Sequence, residues 1–125
     1  MLSGATALIV EDEYFIALGA QQVLESAGAG IVVIVRDSTE ASRHSAPSID
    51  LALVAIGPEG SAAIAYCQTL LVQGVAVVVL SSDRAHLDGV PGLAGVEVVI
   101  KPFSDDDLLA AVAAALEAAA DRRSS

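Results

Sequence analysis

Five runs of Val, Ile, Leu and Ala recur along the chain at intervals of about 20 to 25 residues, each closed by a polar break and most followed by a segment of helical periodicity. A strand that is apolar at every position, rather than at every second one, has both faces covered, which is the condition of a parallel sheet between two layers of helices. Parallel neighbours also need a crossover between them, and a helix is the usual one. The pattern therefore reads as (βα)5, a doubly wound α/β fold.

The first strand is expected from Ala5 to Val10, followed by a helix whose stripe Ile16, Ala20, Val23, Leu24 and Ala27 faces the core before Gly28 stops it. A second strand covers Ile31 to Val35, and Asp37 with Glu40 caps a short helix that Pro47 ends. The third strand, Leu51 to Ile56, is unbroken and apolar, as a central strand should be. Gly57-Pro58-Glu59-Gly60 then leads into a helix from Ser61 to Gln73, closed by Gly74. Strands from Val75 to Leu80 and from Val96 to Ile100 complete the set. Ser104 with Asp107 caps a last helix whose first turn carries Asp105, Asp106 and Asp107. Between the fourth and fifth strands, Gly89, Pro91, Gly92 and Gly95 restrict the fourth helix to a turn or two near Arg84 to Leu87, because Gly and Pro cost about 1 and 3 kcal/mol in a helix interior.

Aromatics make up only 3% of a chain that is 54% hydrophobic, so the core has to be built from aliphatic side chains, which suits a buried parallel sheet. The 125 residues read as one domain over 1–121 with a polar tail at 122–125; Asp121 to Ser125 is expected to fray. A formal charge of −10 repels nucleic-acid phosphates and anionic headgroups, which argues against nucleic acid and membrane as partners and leaves proteins. Met1-Leu2-Ser3-Gly4 has no basic leader and no apolar run reaches spanning length, so the expected location is cytoplasmic. Cys67, alone in an apolar helix, reads as a packing residue. His44 and His86 stand in polar stretches without ligand spacing or a nearby nucleophile, and read as solvated surface histidines.

In an open α/β sheet ligands bind at the carboxyl ends of the strands, beside the point where strand order reverses. That end collects Glu11, Asp12, Ala55, Ser81 and Lys101. The order and spacing of Ala7-Leu8-Ile9-Val10-Glu11-Asp12-Glu13, the strand from Asp50 to Gly57, Ser81-Ser82 and Ile100-Lys101-Pro102-Phe103 resemble the response-regulator receiver domain, the CheY-like module of two-component phosphorelay signalling. The resemblance spans essentially the whole chain. It implies a flavodoxin-like fold with strand order 2-1-3-4-5, metal binding by Glu11 and Asp12, phosphate contact by Lys101, a phosphate-sensing hydroxyl on Ser81 and a cis peptide before Pro102.

This chain departs from the receiver pattern at its centre. Receivers carry the phosphoacceptor aspartate where Ala55 stands, five residues after Asp50. A methyl group cannot attack phosphorus, and phosphoryl transfer needs a nucleophilic oxygen, a divalent cation and fixed positive charge. In receivers the missing carboxylate is also a metal ligand, so Mg²⁺, which wants hard oxygens in a near-octahedral array, is expected to bind weakly or not at all. Lys101 would then face two carboxylates rather than three, in a compact ion-paired pocket fixed in one state. Val98 occupies the position, three residues before the lysine, where receivers commonly place a Tyr or Phe that moves with the hydroxyl. The eroded fourth helix belongs to the surface that receivers use to dimerise or hold effectors.

The expectation is therefore an atypical receiver, a pseudo-receiver of bacterial two-component signal transduction. It is not an enzyme, has no cofactor beyond weak Mg²⁺, and acts as a phosphorylation-independent interaction module. Its implied partners are a histidine kinase, a phosphotransferase, another regulator or a second copy of the chain. From Leu108 to Ala120 the last helix carries one charge, Glu117, so its alanine-rich face suits such a contact, on the side where receivers meet kinases. Plainer readings stand beside these: Glu11 and Asp12 as helix caps, Ser81 as part of a strand exit, and alanine as simply the best helix former. The alternative function is a phosphoryl-accepting receiver in which Ala55 is an engineered replacement or another carboxylate substitutes, with Asp50 at the far end of the strand, more than about 15 Å away, and Glu59 nearer but on a loop. A nucleotide or flavin site, which the same fold hosts, is disfavoured by acids at 11–13 where glycines or hydroxyls would approach a phosphate.

Overall fold

The computed structural model describes residues 2–43, 48–57 and 60–124. The elements run β1 Thr6–Val10, α1 Tyr14–Ser26, β2 Ile31–Val35, α2 Ser38–Arg43, β3 Leu51–Ala55, α3 Ser61–Val72, β4 Ala76–Ser81, a 3₁₀ helix Arg84–Asp88, β5 Glu97–Ile100 and α4 Asp105–Ser124. The five strands form one parallel sheet in the order β2-β1-β3-β4-β5, so the expected doubly wound, flavodoxin-like topology holds. The expected stop at Pro47, the loop residues Pro58 and Glu59, and His44 lie outside the described residues.

The continuous apolar strands divide their side chains between two cores. Ala7, Ile9, Leu51, Leu53, Ala76, Val78 and Leu80 point to one face and pack with α1 and α4. Leu8, Val10, Ala52, Val54, Val77 and Val79 point to the other and pack with α2, α3 and the segment after the 3₁₀ helix. The period-2 pleat sends alternate residues to opposite faces, so both layers need hydrophobic partners at every position. The caps fall where the sequence suggests: Glu40 N donates to Asp37 Oδ1 at 2.8 Å and Asp107 N to Ser104 Oγ at 3.0 Å.

Where a fourth helix would lie between β4 and β5, the chain makes the one 3₁₀ helix and then a tight loop. An antiparallel bridge pairs Val90 with Leu93, and both side chains are buried in the second core. Gln68 Nε2 on α3 donates to Gly92 O at 2.9 Å. Gly92 has φ +88°, and a Cβ there would meet Gln68 Nε2 at 3.2 Å and Ile64 Cγ2 at 3.3 Å, so glycine allows both the turn and the approach of α3. Two apolar side chains on a loop thus cover the sheet where a helix would.

The C-terminus corrects the sequence reading. Residues 122–125 were expected as a polar tail, yet α4 continues through Ser124. The cause is tertiary: Arg122 Nη2 donates to Val75 O at 3.1 Å and Arg123 Nη1 to Gly74 O at 2.7 Å, satisfying carbonyls at the turn before β4. Basic residues in the last turn and three acids in the first also match the helix dipole. Among the described residues no helix is long and apolar enough to cross a membrane.

Cys67 is fully buried in the second core, and burial pushes its thiol up to about 12. In mildly alkaline buffer it should therefore resist a thiol-specific disulfide reagent in the native protein and react stoichiometrically in denaturant; rapid native labelling would contradict this packing. Arg122→Ala should lower stability by about 1 kcal/mol in urea titration, the worth of one hydrogen bond.

Candidate functional site

The backbone ladder continues past the strand ends and fixes the site. Glu11 N donates to Val35 O at 3.0 Å, Ile56 N to Leu80 O at 2.9 Å and Lys101 N to Ser81 O at 2.8 Å. The residues that follow β1, β3 and β5 are thereby held on one rim, where a cleft of about 730 Å³ opens at the carboxyl end of the sheet. Ala55, Ser81 and Lys101 line it together with Asp12, Glu13, Arg36 and His86, and the Lys101–Pro102 peptide is cis.

Glu11 is the unusual group here, a carboxylate with 2% exposure. Its Oε1 lies 3.0 Å from Lys101 Nζ and its Oε2 accepts from Glu13 N at 3.1 Å. Burial pushes its pKa above the usual carboxylate range, while the Glu13 amide and the Lys101 ammonium pull it back. Lys101 Nζ also lies 3.6 Å from Glu13 Oε1. Lys101 was expected to face Glu11 and Asp12; the carboxylates beside its ammonium are those of Glu11 and Glu13. One carboxylate oxygen from each of Glu11, Asp12 and Glu13 can be chosen so that all lie within 4.8 Å of one another. Such hard oxygen donors suit Mg²⁺ or Ca²⁺, and Ala55, half-buried on the cleft floor, adds none.

Ser81 is completely buried at the end of β4. Its hydroxyl accepts from Asp83 N at 3.0 Å and shares a 2.5 Å hydrogen bond with His86 Nδ1. Asp83 caps the 3₁₀ helix through Ala85 N at 2.9 Å, and its other oxygen lies 3.9 Å from His86 Nε2. The arrangement that uses every group has the Ser81 hydroxyl donating to Nδ1 and the ring proton on Nε2, facing Asp83.

His86 therefore differs from its sequence reading. It was expected on the surface with no nucleophile nearby; its side chain is only 19% exposed, lines the cleft and is bonded to Ser81. The signal was present in Asp83, a capping residue that starts a 3₁₀ turn and swings the residue three positions on back over the strand end. Val98 sits half-buried on β5, beside Val79 in register, and packs into the second core. Asp50 lies before β3, at the opposite end from the cleft, with its Oδ2 accepting from Thr6 N at 2.9 Å.

No protein-family model and no curated protein matches the chain. Solved structures do. A CheY-like response regulator receiver domain protein from Methanospirillum hungatei JF-1 superposes with a TM-score of 0.74 at 21% identity, over 96% of this chain and 99% of that one. A response regulator receiver domain protein from Clostridium thermocellum gives 0.71 at 25% identity, over 91% and 95%. The response regulator TrrA from Thermotoga maritima, solved in complex with Mg(2+)-BeF, gives 0.72 at 19% identity, over 90% and 99%. The chain has the fold of CheY-like receiver domains.

Ser81→Ala should lower stability by about 1 to 3 kcal/mol, since it leaves Asp83 N and His86 Nδ1 without their partner. Amides between Asp83 and Gly89 should exchange faster with solvent in both Ser81→Ala and His86→Gln. Unchanged exchange there in both variants would mean that the Ser81–His86 bond does not hold the 3₁₀ helix.

Proposed function

We propose that this chain, built on the receiver fold, is an atypical receiver of two-component signal transduction that works as a protein-interaction module without aspartyl phosphorylation. Ala55 carries the conclusion. β3 enters the cleft with a methyl group, and Asp50, the described carboxylate of the same strand segment, is at the far end of the strand, bonded to Thr6 N. Lys101, the cation that would meet a phosphoryl group, is committed to Glu11 and Glu13. The Ser81 hydroxyl is likewise committed, to His86. Three groups of the phosphoryl chemistry are thus absent or engaged, and the pocket serves as a fixed charge cluster with binding, not catalysis, as its output.

The surface that fits a protein partner is beside the cleft, at the start of α1. Tyr14 is 66% and Phe15 84% exposed, edge to face with ring centroids 5.7 Å apart. Exposed aromatics of this kind favour contact with a partner. Exposed Asp105, Asp106 and Asp107 open α4, whose outer positions Ala110, Ala113 and Ala120 are also exposed. A histidine kinase, a phosphotransferase or another regulator of the cytoplasm would meet this side, as would a second copy of the chain. The net charge of −10 disfavours nucleic acid and anionic membrane.

Incubation with Mg²⁺ and acetyl phosphate, followed by intact mass measurement, should leave the wild-type chain unmodified. A hydroxylamine-labile phosphoryl adduct on the wild type would overturn the proposal and favour another acceptor carboxylate. Ala55→Asp tests the pocket: rapid acquisition of such an adduct would mean that only the acceptor had been lost.

A further inference from the structure

The sheet has two edges, β2 and β5. An edge presents a row of unpaired backbone groups, and folded chains usually guard it by shortness, charge, proline, a bulge or a covering segment. β5 is guarded, being four residues long and opening on Glu97. β2 is not. Its five residues, Ile31-Val32-Val33-Ile34-Val35, are all aliphatic, without charge or proline, and Ile31 is 58% exposed. The register with β1 is unbroken along its length, so no bulge turns the strand away. The ladder also identifies the free groups. Ile31 N donates to Ala5 O and Glu11 N to Val35 O, at the two ends of β2. In a parallel ladder each residue turns its N–H and C=O to the same side, so Ile31, Val33 and Val35 bond to β1 while Val32 and Ile34 direct theirs outward. No described residue is bonded to those outward groups.

We propose that β2 pairs with the β2 of a second copy of the chain, antiparallel about a two-fold axis at Val33, joining the two sheets into one. Val32 then faces Ile34 of the second copy and Ile34 faces its Val32, each pair exchanging both N–H···O bonds. The two Val33 residues lie between them as the closely spaced, non-hydrogen-bonded pair. The strand is self-complementary under this rotation, since the same groups donate and accept on both sides. Charge selects the place. With a formal charge of −10, two copies repel over most of their surfaces. From Ile31 to Arg43, however, the charged residues are Arg36, Asp37, Glu40 and Arg43, which cancel. The rotation keeps both α2 helices on one face and runs them antiparallel, so the Glu40 of each copy faces the basic last turn of the other. Five residues a side make a small contact, below the roughly 1,200 Å² of stable complexes, so the dimer is weak, with a Kd of about 100 μM. The contact uses neither the cleft nor the rings of α1, and phosphorylation does not enter it.

Sedimentation equilibrium up to about 1 mM should show a monomer–dimer association. Over the same range amide exchange should slow about threefold or more at Val32 and Ile34, and stay unchanged at Val33 and Val35, which β1 already holds. Val32→Pro removes an outward N–H without breaking a bond to β1, and should keep the chain monomeric. Ile31→Lys alters an exposed position, so it keeps the test open should the proline variant fail to fold. It should weaken association by about tenfold, although it lowers the net negative charge that holds copies apart. A wild-type chain that stays monomeric at about 1 mM overturns the proposal. Association that leaves the Val32 and Ile34 amides unmoved, or that persists at full strength in Ile31→Lys, overturns it too and assigns the contact to another face.

Discussion

A carboxylate excluded from water has to find a cation or take up a proton, and most of what distinguishes this pocket follows from how Glu11 meets that requirement. Its backbone amide is held by β2 through the Val35 carbonyl, and its side chain is buried at the strand end. The cation comes from ninety positions later in the chain, at the far side of the sheet. The ion pair therefore depends on the whole parallel topology: β3 and β4 must lie between the two strands, and their ends must be low enough for a lysine arm to pass.

The second polar element obeys the same rule on a smaller scale. Ser81 is buried at the end of β4, and its hydroxyl finds an acceptor in His86 and a donor in the Asp83 amide. Both partners come from the turn that replaces a longer helix. A shortened connection would ordinarily expose the underlying sheet; here Val90 and Leu93 cover it, while Gln68 secures the loop through Gly92. Loss of the helix and retention of a packed second core are compatible because two aliphatic side chains suffice for the area left open.

The sheet, its order, the caps at Asp37 and Ser104 and the rim collecting residues 11, 55, 81 and 101 were legible from the sequence, because each depends on local periodicity or on a motif with fixed spacing. Two features were less so. The burial of His86 was signalled by the cap at Asp83 alone, since its neighbours Arg84, Ala85, Leu87 and Asp88 form no apolar stripe and its orientation is set by a strand end five residues earlier. Arg122 and Arg123 resembled a solvated tail, and only the proximity of the Gly74 and Val75 carbonyls gives them a reason to stay helical. In both cases a side chain reaches a backbone or hydroxyl group that local pattern does not reveal. Glu13 is a third, milder instance: the charge run was visible, but its role as the second partner of Lys101 in place of Asp12 depends on how the chain turns into α1.

The arginine contacts at the end of α4 also set a direction. They bring the helix terminus to the turn that precedes β4, which is the amino edge of the sheet, while the cleft opens at the carboxyl edge. The two lie at opposite poles of the strands. A fluorescent reporter or immobilisation handle joined there would leave the cleft and the exposed rings of α1 unobstructed, whereas one joined near the start of α1 would shade both.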